Sequence, residues 1–580
     1  MQRETGDGTR TRGRGLALVS VACILAWAVP AILMMDRGFA VQDEGTYVLS
    51  YRWWASNPYF VSGSQYVYGP IFEAVGESIP TLRLLRLAMV VGANAWFAWS
   101  FVAWLESQRP APRIGSRTSL VLLLTAAGGM SYLWAPLTPG YYDLTADASL
   151  ALVALMLTSL RRSPRAGIGN PLVTGLLAVV LVATKWPAVP VALLTVGVVT
   201  WSLARARTYA ALRYASLVAA GAVAALVATQ LFLVPVGRVV SVMRTVSSLT
   251  ATASHGFGYL ARSYASNTAT FALGAMLFAL PLLAAYVLAR RAHAHGHERR
   301  ARRWLLGAAV LTAVLLPFVV GWHGGSDRGR AVVAIALGGL LAALVVGLAP
   351  PTRGPLPGRG TGRAVAVVLL LVPVFQAAGT NVPLIYVTLE CVAMWMALVL
   401  MLVARPDASE VDVTAVLSNL AVVVVAGALL AGSTTLVSPF NAGSFRSDTS
   451  LVPDLGLRVP RQVAAQYRAL QDALGPYLDR GSTPVFALDQ KAGLTYLLGG
   501  VPAGPTWTDR ASPDRTAGIL ELACRNGDVP GDRRPVLILD RRPDPQVHRA
   551  MTTCGFDYPA AYRRLSVPAG PPGITVLVPR

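Results

Sequence analysis

The sequence predicts a polytopic α-helical membrane protein with about 13 transmembrane helices, followed by a C-terminal extracytoplasmic α/β domain. Of its 580 residues, 54% are hydrophobic and only 14% are charged, whereas an ordinary soluble domain carries about 25% charged residues. Apolar runs of roughly 17–25 residues, long enough to cross a bilayer, recur through most of the chain. The last part instead alternates short apolar runs with proline and glycine.

Thirteen apolar runs predict the membrane spans. They cover residues 15–35, 84–104, 119–136, 147–160, 172–185, 187–204, 214–234, 269–289, 304–320, 331–349, 364–379, 384–404 and 414–437. If the N-terminus is cytoplasmic, the inner loops carry 23 basic residues and the outer loops before residue 438 carry 10. This asymmetry follows the positive-inside rule. We therefore expect a multi-spanning domain over residues 1–437 in the cell membrane, with residues 438–580 outside.

The net charge of +21 is distributed in a way that does not favour a nucleic-acid partner. The basic residues cluster in short loops between apolar runs, as in membrane proteins, and no basic helix with interleaved aromatics is present. The lipid bilayer is the partner that this pattern indicates.

The C-terminal region has the pattern of a small α/β domain. Residues Gln462 to Tyr477 predict an amphipathic helix, and "TPVFALD", "RPVLILD" and "ITVLVP" predict short buried strands. Cys524 and Cys554 are the only cysteines outside the apolar runs. Because the outer compartment is oxidising, we expect them to form a disulfide.

The first outer loop, residues 36–80, is longer and more polar than the other outer loops. It contains Asp43 and Glu44 near its start and the segment "YVYGPIFEAVG" near its end. One explanation is an amphipathic helix at the membrane surface, with tryptophans among the headgroups and carboxylates in water. The other is that the carboxylates carry chemistry.

Two further outer positions carry charge next to apolar helices. Asp143 and Asp147 lie at the mouth of a span, where an aspartate can simply cap a helix. Lys185 is one of only two lysines and lies in the sharp turn "TKWP" between two apolar runs. An ionisable group at that depth is a functional candidate, although a lysine can also extend to the membrane surface.

These three segments, in this order, resemble the GT-C glycosyltransferases that use polyprenyl-phosphate sugars, especially the protein O-mannosyltransferase and aminoarabinose-transferase families. "DEGTYVLSYRWW" and "YGPIFEAVG" are similar to the acidic pair and the aromatic proline segment of the family's first outer loop. Asp147 in "TADASLALVALML" matches the aspartate at a helix mouth, and "TKWP" matches a "TKGP"-like turn. The resemblance covers about residues 36–205. Trp186 stands where the family has glycine, and the loop between Asn57 and Tyr68 is shorter than usual.

The resemblance implies a GT-C-like membrane domain and an inverting transfer of a hexosyl or pentosyl group. The donor would be a polyprenyl-phosphate sugar, and the acceptor an envelope glycan, lipid or protein. In this chemistry a carboxylate takes the proton of the acceptor hydroxyl. We expect Asp43 in that role, with Glu44 as the alternative base, and Asp147 as a group that orients the acceptor or the cation.

The departing lipid phosphate needs a fixed positive charge, which stabilises it more strongly in a low-dielectric site than in water. Lys185 is the main candidate, and Arg328 and Arg330 in the outer loop "GWHGGSDRGR" are further candidates. Candidates for contacts to the sugar or the acceptor are Tyr47, Tyr68 and His323.

The sequence leaves two other functions open. A lipid or solute transporter, such as a flippase, would have inverted repeats and charges near the bilayer midplane. A catalytically idle GT-C-like scaffold for envelope assembly would keep the fold without the reaction. No cofactor is required by the transfer chemistry, and we expect no metal, although Asp43 and Glu44 could hold a divalent cation.

Overall fold

The structure is a computed structural model in which helices predominate. It describes the chain except for residues 1–3, 61, 109–114, 135, 162–166, 252–255, 317–325, 350–360, 381, 405–407, 438–444, 510–511, 530–532 and 569. Before residue 438 its α-helices are Glu4–Leu33, Asp43–Arg52, Gln65–Ala74, Ile79–Gln108, Arg117–Ala126, Tyr141–Arg161, Gly169–Thr184, Val189–Ala206, Thr208–Phe232, Val236–Ala251, Phe257–Ala294, Glu298–Val310, Ser326–Leu348, Thr361–Ala377, Leu384–Thr388, Val392–Val403 and Glu410–Val437.

Among the described residues, nine helical segments are long and apolar enough to cross a membrane. They are Gly13–Leu33, Ile79–Gln108, Tyr141–Arg161, Trp186–Ala206, Thr208–Phe232, Gly258–Ala294, Gly329–Leu348, Leu384–Val403 and Glu410–Val437. The protein is thus a polytopic helical protein suited to a lipid bilayer, while the count of thirteen spans is not confirmed.

The four remaining expected spans coincide with shorter elements. Two are the apolar helices Gly169–Thr184 and Thr361–Ala377, which have fewer than 18 residues. The span expected at 119–136 corresponds to the helix Arg117–Ala126 and a 3₁₀ turn to Tyr132. The span expected at 304–320 corresponds to Glu298–Val310 and a π-helical turn to Leu315, and its last residues lie outside the described part.

Small residues bring neighbouring helices into backbone contact. A Cβ atom on Gly175 would lie 2.0 Å from the Val218 carbonyl oxygen, and one on Gly221 would lie 2.1 Å from that of Leu172. Helices Gly169–Thr184 and Thr208–Phe232 therefore cross where neither has a side chain. Such contacts are typical of membrane helices, where van der Waals packing replaces the hydrophobic effect between helices.

The region after residue 445 forms two sheets. Strands β1 (Thr449–Val452) and β2 (Leu457–Pro460) make an antiparallel pair. The larger sheet has the order β4-β3-β5-β7-β6, with β3 parallel to β4 and β5, and β7 antiparallel to β5 and β6. Its strands are β3 (Pro484–Ala487), β4 (Val501–Pro502), β5 (Val536–Leu539), β6 (Tyr562–Leu565) and β7 (Thr575–Pro579). The accompanying helices are Arg461–Leu474, Ala492–Leu497, Pro513–Arg525 and Pro545–Thr553.

The two faces of this sheet are buried against different partners, because successive side chains of a strand point to opposite faces. On β5, Val536 and Ile538 belong to the apolar cluster that contains Tyr47 and Phe60 of the 36–80 segment. Leu537 and Leu539 belong instead to the cluster that contains residues of the helices Pro513–Arg525 and Pro545–Thr553. The first loop of the membrane part therefore shares a core with the C-terminal sheet.

Polar contacts join the same two parts of the chain. The Gly493 backbone N–H donates to the Val41 carbonyl at 2.9 Å, and the Asn57 amide donates to the Gly504 carbonyl at 2.9 Å. A Cβ atom on Gly45 would lie 2.4 Å from the backbone nitrogen of Gly493. The start of the helix Asp43–Arg52 is thus held in backbone contact with the C-terminal region.

The elements predicted from the C-terminal pattern are present. The three apolar segments form β3, β5 and β7, and the amphipathic segment forms the helix Arg461–Leu474 with a 3₁₀ turn to Tyr477. Cys524 and Cys554 are joined by a disulfide. This bond connects the last turn of the helix Pro513–Arg525 to the residue that follows the helix Pro545–Thr553.

Candidate functional site

A buried arginine fixes the beginning of the 36–80 segment. The Arg83 guanidinium donates to the Glu44 Oε1 atom from Nε at 3.0 Å and from Nη2 at 2.8 Å. It also donates to the backbone carbonyls of Met35, Arg37 and Gly38 at 2.8–2.9 Å. One side chain on the helix Ile79–Gln108 therefore holds the whole turn that leads into Asp43.

A second buried arginine on the same helix fixes the beginning of the next helix. Arg86 Nε donates to Asp143 Oδ1 at 2.7 Å, and its two Nη atoms donate to the carbonyls of Ser131 and Pro136 at 2.7 and 2.6 Å. The other Asp143 oxygen accepts from the Gly140 N–H at 2.8 Å. Asp143 thus caps the helix Tyr141–Arg161, as aspartate favours, and balances a buried cation.

Lys185 lies where the chain breaks between two apolar helices. The helix Gly169–Thr184 ends there because Lys185 is extended, with φ −153°, and Pro187 follows two residues later. The Ser62 hydroxyl donates to the Thr184 carbonyl at 2.9 Å, and the Gly63 N–H donates to the Ala183 carbonyl at 3.0 Å. The 36–80 segment therefore satisfies the free carbonyls of this helix end.

The Lys185 side chain is buried and points into the protein. Its ammonium donates to the Gln376 carbonyl at 2.8 Å and lies 5.4 Å from the ring centre of Tyr142. Only 7% of the residue is exposed. It therefore does not extend to the surface, and the Gln376 carbonyl is the one hydrogen-bond partner of its ammonium among the described residues.

A cavity of about 850 Å³ lies between these elements, a size common for small-molecule sites. Asp43, Tyr47 and Lys185 all line it. The predicted base and tyrosine, which share the helix Asp43–Arg52, thus line one cavity with a cation from a different part of the chain. Aromatic and apolar residues complete much of the wall: Phe60, Trp134, Tyr141, Tyr142, Trp186, Met243, Leu260, Tyr264, Val382 and Trp507.

The Asp43 carboxylate is free to react. It lies in the first turn of the helix Asp43–Arg52, and no hydrogen bond or ion pair engages it among the residues described. Burial raises the pKa of Asp43 above the usual range of an aspartate. A carboxylate with a raised pKa and no fixed partner has the properties of a general base.

Three other predicted residues lie away from the cavity wall. Glu44 is fully buried, and besides Arg83 it accepts from the Thr138 hydroxyl and from the Ala40 N–H. Tyr68 is fully buried with its hydroxyl directed at the Met89 sulfur. Asp147 is buried one helical turn beyond Asp143 and does not line the cavity, and its Oδ2 atom has no described hydrogen-bond partner.

The loop expected at residues 321–330 contributes no described residue to the cavity. Arg330 is exposed, and Arg328 lies near the start of the helix Ser326–Leu348 with its side chain outside the described part. His323 lies outside the described residues altogether. Among the described residues before residue 438, no arginine lines the cavity with Lys185.

The C-terminal region supplies wall residues that the sequence pattern did not indicate. They are Gln490, Trp507, Asp509 and Arg515. These residues lie more than 440 positions after Asp43, and no local spacing relates them to it. The proline and glycine residues near Trp507 have the pattern of an ordinary loop.

Metal ligation has no support in the described part of the chain. No group of three or more His, Cys, Asp or Glu side chains there could hold a metal ion. Asp43 and Glu44, the pair that could have shared a cation, belong to different surroundings, since Glu44 is committed to Arg83.

Comparisons with known proteins identify no relative: no family model matches the chain, and no curated protein or solved structure was found to match it.

Proposed function

We propose that the protein is a membrane glycosyltransferase that moves a sugar from a polyprenyl-phosphate donor to an acceptor hydroxyl. The observation that carries the proposal is the cavity in which an unengaged carboxylate, Asp43, and a buried ammonium, Lys185, lie together. The resemblance of these two segments to GT-C enzymes assigns the same two roles. The cell membrane, a cytoplasmic N-terminus and a C-terminal region outside belong to this proposal.

The reaction needs one displacement at the anomeric carbon. The acceptor hydroxyl oxygen forms a bond to that carbon while the bond to the phosphate oxygen breaks, so the configuration inverts. Asp43 takes the hydroxyl proton, and the electron pair of the broken bond leaves with the polyprenyl phosphate. Lys185 stabilises the charge that builds on that phosphate, which a fixed cation in a poorly solvated site does well.

The walls of the cavity suit a lipid-linked donor. Lys185 lies at the boundary of two apolar helices, and Met243, Leu260 and Val382 give the same cavity an apolar side. A polyprenyl chain needs such an apolar path, while its phosphate needs the charged end. Tyr47 and Tyr141 also line the cavity, with ring centres 6.4 Å apart, and offer surfaces against which a sugar ring can lie.

The direct test is incubation of the purified, bilayer-embedded protein with polyprenyl-phosphate mannose, glucose and arabinose, with freed polyprenyl phosphate as the readout. We expect release with at least one of these donors, and loss of release in Asp43→Asn. No release with any donor, in protein that binds polyprenyl phosphate, would contradict the proposal.

One observation favours the transporter alternative. Glu390 is fully buried in the apolar segment Leu384–Val403, and neither of its carboxylate oxygens has a hydrogen-bond partner among the described residues. Intramembrane carboxylates often mark ion pathways. Reconstituted vesicles that translocate a polyprenyl-phosphate sugar without cleaving its bond to the sugar would support the transporter, provided that Glu390→Gln abolishes this movement.

A further inference from the structure

Arg515 is a buried cation whose donors are incompletely used. It lies near the start of the helix Pro513–Arg525, is only 7% exposed and lines the cavity. Its Nε atom has no hydrogen-bond partner in the part of the chain that the structure describes. Burial lowers the pKa of Arg515, while the nearby Asp509 and the Tyr141 phenol oppose that shift.

The other two buried arginines show what a structural arginine looks like in this protein. Arg83 and Arg86 each form an ion pair below 3 Å with a carboxylate and donate to several backbone carbonyls. Arg515 forms no ion pair within the described residues. Asp509 is near enough to act on its charge but makes no ion pair with it. Because burying a charge without a close counter-ion is costly, a guanidinium in this state at a cavity wall is suited to an anion that enters the cavity.

Two other residues of the C-terminal region that line the cavity favour a carbohydrate. Gln490 has φ +63°, an uncommon conformation for a residue with a side chain, and its N–H donates to the Thr508 carbonyl at 3.0 Å. This contact holds Gln490 beside Trp507, and both line the cavity. An indole ring can lie against the C–H face of a sugar, and an amide can bond its hydroxyls.

The Arg515 subsite differs from the one at Lys185. Lys185 lies against the Tyr142 ring and donates to a carbonyl of the helix Thr361–Ala377. Arg515 interacts with Tyr141 and Asp509 instead. The two cations thus lie near two consecutive tyrosines at the start of the helix Tyr141–Arg161, and Asp43 lines the same cavity.

We propose that Arg515, with Gln490 and Trp507, binds an oxyanion-bearing carbohydrate, a sugar with a carboxylate or phosphate group, as the second substrate. Arg515 binds the anionic group with its planar fork, which matches oxyanions, and Trp507 packs against the ring. Calling this carbohydrate the second substrate rests on the proposed transfer reaction. Its binding to Arg515 can be tested without that reaction, since binding needs neither a donor nor turnover.

The experiment measures binding of four probes to the full chain in nanodiscs: glucuronate, glucose 6-phosphate, glucose and inorganic phosphate. We expect the two charged sugars to bind more tightly than glucose or phosphate. Arg515→Gln should weaken their binding about 10–100-fold, the usual effect of losing hydrogen bonds to a charged group. Arg525→Gln, which removes an exposed arginine from the same helix, should bind like the wild type.

Each contrary result is informative. Equal binding of glucose and the charged sugars to the wild type, or unchanged binding in Arg515→Gln, overturns the proposal. If inorganic phosphate binds as tightly as glucose 6-phosphate, the claim that the site recognises a carbohydrate is wrong. If Arg515→Gln does not fold, Arg515→Lys is the second variant. It keeps the positive charge without the planar fork, and its binding of the two charged sugars should still be about 5–10-fold weaker. Polyprenyl phosphate release from the donor tests the transfer reaction separately. The proposed binding at Arg515 and the proposed transfer reaction can therefore fail independently of each other.

Discussion

Two regions of the molecule bury charge in opposite ways. Below the 36–80 segment, Arg83 and Arg86 are enclosed by carboxylates and carbonyls at 2.6–3.0 Å. Around the cavity, neither the Asp43 carboxylate nor the Arg515 Nε atom has a hydrogen-bond partner among the described residues. The enclosed charges hold the chain in place. We propose that the two unengaged groups at the cavity wall bind a ligand.

The sharpest form of this contrast is between adjacent residues. Asp43 and Glu44 are consecutive in the first turn of one helix, so their side chains point about 100° apart. Glu44 turns inward to Arg83, while Asp43 lines the cavity. The substitutions below are ordered from the largest expected effect to the smallest.

Replacing Asp43 by Asn should reduce turnover about 10²–10⁴-fold, the typical loss on removing a general base. The amide keeps the size of the side chain but cannot take the hydroxyl proton. Donor binding should persist because the proposed phosphate contact is made by Lys185 and not by Asp43. The measurement is polyprenyl phosphate release under saturating donor, at equal folded yield. An active Asp43→Asn enzyme would mean that the base lies elsewhere.

Replacing Glu44 by Gln should act on stability instead. It leaves Arg83 buried without its counter-ion, and breaking a buried pair in this way costs about 3–5 kcal/mol. We expect a lower free energy of unfolding, measured by chemical denaturation, with near-normal turnover per folded molecule. A stable Glu44→Gln protein without activity would reverse the roles given to these neighbours.

Removing the disulfide should destabilise the C-terminal region. Cys524 and Cys554 are 30 positions apart, and a bridge across such a loop contributes about 3–4 kcal/mol on the chain-entropy model. Cys524→Ser together with Cys554→Ser should lower the unfolding temperature of the protein. The control is wild type treated with reductant, which should show the same shift. No shift in either sample would argue that this bond does not form in the protein.

Replacing Lys185 by Met should weaken donor use about 10–100-fold, the usual loss with a hydrogen bond to a charged group. Lys185→Arg should recover only part of the lost donor use, because a planar guanidinium does not reproduce the geometry of an ammonium. The measurement is polyprenyl phosphate release at limiting donor concentration. If Lys185→Met turns over donor like the wild type, the phosphate is bound by another group.

The pH dependence of the reaction rate should show the ionisation of Asp43, and this is the smallest of the expected effects. Burial raises its pKa above the usual aspartate range, and only the ionised form can accept a proton. The rate should therefore fall as the pH drops through this raised pKa. The acid limb of kcat/KM should have its midpoint at a higher pH than the pKa of an ordinary aspartate, which is about 3.9. Asp43→Asn should lack this limb in its residual activity. An identical acid limb in both proteins would assign it to a different group.

Some of this arrangement could be predicted from the sequence because it depends on local patterns. Apolar runs indicated the helices, alternating short runs indicated β3, β5 and β7, and the two cysteines outside the apolar runs indicated the disulfide. Asp43 and Lys185 could be selected because a charge next to an apolar helix is rare. Each of these signals lies within a short window of the chain.

The remaining features depend on contacts between distant residues. The local pattern did not indicate the roles of Arg83 and Arg86. Only the folded chain brings the carbonyls of residues 35, 37 and 38 to Arg83 and the carboxylate of Asp143 to Arg86. The sequence could not separate Asp43 from Glu44, since both suit the start of a helix. Arg515 could not be connected to the site because it reaches the cavity only through docking of the C-terminal region.

The most direct measurement is a cryo-EM structure of Asp43→Asn with a bound polyprenyl-phosphate sugar. The proposed reaction predicts phosphate density within hydrogen-bond distance of the Lys185 ammonium, with the anomeric carbon of the sugar facing the residue 43 amide. Phosphate density away from Lys185, or a sugar outside the cavity that Asp43 lines, would contradict the assignment of this cavity as the transfer site.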